Sequence, residues 1–180
     1  MPATAPSTGP RHHTPAWPTT GAARALLFAS LFAALQLAYH ALSGSTWMVP
    51  VVQATTAAPA AALLRWLEPA LPTHANGAHL QWLGGQLALL AGCDGADLLL
   101  LYLPVTMIAP TSWPRRGLLA ACGTVAIWLL NQVRVVVLVQ MYRRSHGAFD
   151  AAHTVWAPLA LALLVALLYG WLLQTWRTNP

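Results

Sequence analysis

Four long apolar runs constrain this chain before anything else does. Ala22–Leu42, Ala96–Ala109, Gly117–Met141 and His153–Leu173 each hold at most one charged residue. A soluble fold has nowhere to put so much apolar surface, whereas a bilayer core of ~30 Å takes one helix of this kind per run. Charged residues make up 7% of the chain, against about 25% in a typical soluble domain. The nine basic residues are all Arg, scattered singly and in pairs, which suits membrane topology and excludes the basic stripe of a nucleic-acid binder. Two Cys are too few for a disulfide framework, and Cys93 and Cys122 fall at different depths.

The expected fold is an all-α membrane protein. It has about four transmembrane helices, an amphipathic helix outside the bilayer and a short β-hairpin before Cys93. Residues 1–20 hold five Pro among small polar residues and form no apolar face, so a disordered tail is expected ahead of one integral membrane domain over 21–176. His12-His13 in that tail lacks the three or four fixed ligands of a metal site, and no metal or cofactor is expected. Trp47–Leu67 is long enough to span. Pro50, Pro59, Gln53, Thr55, Thr56 and Arg65 favour instead a helix lying on the membrane surface. Gly84-Gly85 separates His79–Leu83 from Gln86–Leu90 and predicts a hairpin. A polar loop is expected over Tyr142–Ala152.

The hairpin runs into Gly92-Cys93-Asp94-Gly95, at the start of the short span Ala96–Ala109. A thiol on the first turn of that helix would lie at the water boundary, where free N–H groups stabilise a thiolate. Counting spans from there returns His153 to the membrane face that holds Cys93. Arg134 lies inside the intervening span with Asn131 three residues earlier, on one helix face. An intramembrane Arg is a functional signal by default, and this pair predicts a polar pocket within the bundle. His153 is then placed to take the thiol proton, and Arg134 to stabilise an oxyanion or bind a substrate carboxylate. Asn131 would orient Arg134 or donate to the same oxyanion. His146 is a rival base in mid-loop, and Cys122 is expected to be inert packing. Which face is outside is not fixed by charge: five Arg against three face the cytoplasm in either topology.

In order and spacing these residues resemble the exosortase/archaeosortase membrane proteins. Pro50 with the Gln53–Leu64 helix is similar to that family's extracytoplasmic segment, and 77–90 to its glycine-containing lead-in. Gly92-Cys93-Asp94-Gly95 resembles its Ala-Cys-Ser/Asn-Gly motif. Asn131-Gln-Val-Arg134 followed by His153 resembles Asn-x-x-Arg and the next-span His. The resemblance implies a thiol protease or transpeptidase in the bacterial inner membrane, facing the periplasm. It would cleave tail-anchored exported proteins at a C-terminal sorting signal: a Pro-Glu-Pro-type motif, an apolar helix and a basic tail. Lipids would be its other partner. Cys93 would be nucleophile, His153 base and Arg134 electrostatic stabiliser, with Asn131 and Asp94 orienting or binding substrate. Gly92 and Asp94 depart from the motif, and an Asp beside the nucleophile raises a thiol pKa unless its charge is neutralised. The alternatives are a non-catalytic assembly protein using the Arg134 pocket and a His-dependent transporter or metal-binding protein.

Overall fold

The computed structural model describes residues 21–89 and 92–178; the expected tail and its His pair lie outside them. The elements are α1 (Gly21–Ser43), α2 (Met48–Val52), a π-helical turn (Gln53–Ala57), α3 (Ala58–Leu67), β1 (Thr73–Asn76), β2 (His79–Trp82) and β3 (Gly85–Ala88). Then follow α4 (Ala96–Ile108), α5 (Trp113–Arg144), α6 (His146–Ala151), a second π turn (Ala152–Trp156) and α7 (Ala157–Thr178). Gly21–Ser43, Trp113–Arg144 and Phe149–Trp171 are each long and apolar enough to cross a membrane. α4 is a shorter apolar helix of 13 residues, about 20 Å at 1.5 Å per residue.

α1 packs along α4, α4 along α5, and α5 along α7. Tyr102 ties this bundle together. Its hydroxyl donates to the Leu119 carbonyl at 2.8 Å, and its ring meets that of Tyr169 edge-on at 6.0 Å. The ring lies directly over Gly123, where a Cβ would collide with it, so the missing side chain lets α4 and α5 approach. At the other end of α4, Arg116 donates from Nε to the Ala109 carbonyl at 3.1 Å. That places a cation at the negative end of the helix.

α5, 32 residues long, extends about 48 Å, well beyond a ~30 Å hydrocarbon core. Its C-terminal half carries a second, soluble-type core: Ala60, Ala61 and Leu64 of α3, Leu80 and Trp82 of β2, and Val135 and Val139 of α5. The amphipathic segment runs alongside α5. The π turn leaves the Thr55 carbonyl to Trp128 Nε1 (2.6 Å) and Gln132 Nε2 (3.2 Å), and Glu68 at the far end meets Gln140 and Arg143, both at 2.6 Å.

One expectation is extended and another corrected. The expected hairpin is present as β2 and β3, and β1 extends it to a three-stranded antiparallel meander on the outer side of β2. Its second turn is Leu83-Gly84, with Gly84 at φ +88°, and Gly85 belongs to β3. The polar loop over Tyr142–Ala152 is helical except at Ser145, whose extended backbone separates α5 from α6. Aromatic packing holds that corner: the Tyr142 ring meets His146 at 4.6 Å and Phe149 at 5.2 Å, both edge-on.

Candidate active site

The loop from β3 to α4 reaches the bundle at Gly92-Cys93-Asp94-Gly95. Gly92 and Gly95 have φ of +90° and +82°, a region that suits only glycine here, and they turn the chain sharply on either side of the thiol. Gly95 also lies against Asn131, whose Cγ would be 2.9 Å from an added Cβ. The turn alters one expectation. Cys93 is not on the first turn of α4 but three residues ahead of its first residue, Ala96. The helix start is met instead by Asp94, whose Oδ1 accepts from the Ala96 N–H at 3.1 Å. Its other oxygen accepts from the Tyr39 hydroxyl of α1 at 2.7 Å. The charge beside the thiol is thus shared with a helix N-terminus and a phenol rather than left open.

α5 fixes the thiol loop through its main chain. Asn131 Nδ2 donates to the Cys93 carbonyl at 3.2 Å, and Arg134 Nη1 to the Gly92 carbonyl at 2.9 Å. Asn131 is nearly fully buried, at 1% exposure. Asn131 thus holds the main chain of Cys93 itself, a contact that the expected orienting role did not include. A second support comes from the first π turn, where the Thr56 hydroxyl lies 3.5 Å from the Asp94 carbonyl.

The Cys93 sulfur sits 3.7 Å from His153 Nδ1 and 3.8 Å from Nε2. His153 rides on the second π turn, and π turns recur at functional sites because they re-aim one side chain. Its ring stacks on Phe149, with centroids 5.4 Å apart and planes 3° apart. The rival His146 packs on Tyr142 instead, on the exposed side of α6. Cys122 is exposed on α5. It lies nine residues before Asn131, about 14 Å along the helix, so it does not join the site.

Two cavities meet at His153, and Cys93 lines the smaller of them. One, of about 620 Å³, opens between α1 and α7 over α4 and holds Gly92, Asp97, Arg134 and His153 at its polar end. The other, of about 400 Å³, lies between β3 and the α5–α6 corner, and includes Cys93 and His153. A thiol within 3.8 Å of an imidazole whose other side opens on a guanidinium is an arrangement suited to acyl transfer. Among the described residues no group of three metal-ligating side chains forms.

Residues 18–170 match the family model of the transmembrane exosortases. The chain belongs to the transmembrane exosortase family. Members of this family act in membranes as transpeptidases or proteases on exported proteins with sorting signals. No curated protein and no solved structure matches the chain. The match covers both cavities and every residue of the Cys93–Arg134–His153 cluster. Sequence reasoning did not single out three residues that contact this cluster: Tyr39 and Thr56 at Asp94, and Phe149 at His153. A Tyr near a span end ordinarily belongs to the interfacial belt, so Tyr39 gave no distinguishing signal.

Proposed function

We propose that the chain is a thiol transpeptidase or protease of the bacterial inner membrane, with its reactive groups facing the periplasm. It cuts the C-terminal sorting signals of tail-anchored exported proteins. The observation that carries this reading is the contact of Cys93 Sγ with both His153 nitrogens at 3.7 and 3.8 Å, next to Arg134. His153 takes the thiol proton, and the thiolate forms a bond to the carbonyl carbon of the scissile peptide. Arg134 faces the oxyanion with guanidinium donors that its bond to Gly92 does not use. The imidazolium then gives its proton to the departing amine as the C–N bond breaks, leaving a thioester on Cys93. Water or an acceptor amine attacks that thioester, His153 takes the incoming proton, and the thiol is restored.

The test is a reporter with an exported domain, a Pro-Glu-Pro-type segment, an apolar helix and an Arg-rich tail, expressed with each variant. Wild type should shorten the reporter. Cys93→Ala should abolish this, and His153→Ala and Arg134→Ala should each slow it by about a hundredfold or more. Processing by Cys93→Ala at the wild-type rate would contradict the reading. That result would leave a partner-binding role for the Arg134 pocket.

A further inference from the structure

The cavity beside β3 has an unusual wall. Gln86, Leu87, Ala88 and Leu89 line it consecutively. Side chains of a strand alternate between faces, so a cavity against one face would meet every second residue. Four in succession means that the cavity runs along the strand's edge and faces its main chain. β3 is an edge strand, since β2 is its only described neighbour in the sheet. The register fixes which groups are turned outward. Leu89 N–H donates to the Ala78 carbonyl at 2.7 Å, and Leu80 pairs with Leu87. Hydrogen-bonded and non-bonded pairs alternate in an antiparallel ladder, so the N–H and C=O of Gln86 and Ala88 point away from β2. They point into the cavity, whose opposite wall is apolar: Val135, Leu138, Tyr142 and Phe149.

We infer that this edge is the seat of the substrate segment immediately N-terminal to the scissile bond, which joins β3 as a fourth, parallel strand. The inference rests on the thiol-transpeptidase reading above and names where that substrate lies. Strand addition gives an extended peptide main-chain hydrogen bonds from the edge, and side-chain contacts from whatever faces it. The direction follows from connectivity. β3 runs towards Cys93, so a strand parallel to it delivers its C-terminal end to the sulfur. The next residues then enter the larger cavity between α1 and α7, where Phe32, Leu98, Leu101 and Leu159 offer apolar contact to a membrane-spanning helix. His153 lines both cavities and marks the crossing point. The N–H groups of an added strand face β3 at every second residue. Proline is therefore accepted only at the intervening positions, whose missing N–H points away.

Two variants outside the reactive cluster test this in the full-length membrane protein. With Gln86 replaced by the photo-crosslinking p-benzoylphenylalanine in a Cys93→Ala background, illumination should yield an adduct with the reporter. That adduct should map to the segment preceding its apolar helix. Ala88→Pro removes an outward N–H without touching the β2 ladder, and should lower processing by about tenfold, while Cys93 is alkylated by iodoacetamide at the wild-type rate. No adduct from position 86, or an adduct elsewhere on the reporter, would overturn the inference even if wild type processes the reporter. So would normal processing by Ala88→Pro. An adduct at the expected segment, with a reporter that wild type fails to shorten, would uphold the binding site and defeat the catalytic reading instead.

Discussion

Cys93 owes its position to side chains that hold the main chain around it. The carbonyls of Gly92, Cys93 and Asp94 are each approached by a side chain from another element: Arg134, Asn131 and Thr56. Such a turn has little freedom, and Gly95 is its least replaceable member. Gly95→Ala combines a φ of +82° with a Cβ 2.9 Å from Asn131 Cγ. It should cost about 1–3 kcal/mol and displace the thiol. The result to look for is a lower midpoint of thermal unfolding together with a loss of processing larger than the stability change explains. Gly84→Ala carries a similar φ of +88° but has open space around it, and should lower stability while leaving the per-molecule rate near wild type. The sequence displayed Cys93, Arg134, Asn131 and His153 because chemistry-bearing residues stand out in apolar runs. It hid Tyr39, which looks like any aromatic residue at a membrane boundary, and it hid the main-chain targets of Asn131 and Arg134, since backbone acceptors leave no mark on residue identity.

At the level of elements, α1 and α4 were legible from length and apolarity, and α5 with its buried Asn131 from a polar face within a span. What escaped was set by contacts distant in sequence. β1 has a weakly strand-like sequence, Thr73–Asn76, and forms because Arg65 Nη1 donates to the Thr73 carbonyl at 2.7 Å and β2 supplies a ladder. The helical corner after Arg144 looks like a polar loop until Tyr142, His146 and Phe149 are seen to pack together. Both π turns are equally silent in sequence. The platform they help to build is anchored by Glu68, whose carboxyl is held below its usual value of 4.5, first by the hydrogen bond from Arg143. A carboxyl with a depressed folded-state pKa stabilises the fold fully above its unfolded-state pKa. That contribution disappears as pH falls through the lower, folded-state value. Acidification from pH 5 should therefore lower the unfolding midpoint of the wild type more than that of Glu68→Gln. Equal slopes for the two proteins would show that the anchor contributes nothing.

Over the whole molecule, the Cys93–His153 pair lies where two differently built halves meet. A membrane bundle centred on Tyr102 and Ile127 lies on one side, and a soluble-type core of α3, the meander and the protruding end of α5 on the other. α5 belongs to both, and so carries Asn131 and Arg134 to the junction, while the second π turn hangs His153 over it. On the proposed reading, this arrangement would bring a membrane-borne chain and an aqueous acceptor to one sulfur. The most direct measurement of that idea is the mass of the purified protein after brief mixing with the reporter in detergent. A thioester on Cys93 should appear as an added mass equal to the reporter's N-terminal fragment less one water. It should be released by hydroxylamine, be absent from Cys93→Ala, and form more slowly in His153→Ala. Reporter cleavage that proceeds with no such adduct, and that survives in Cys93→Ala, would contradict the account.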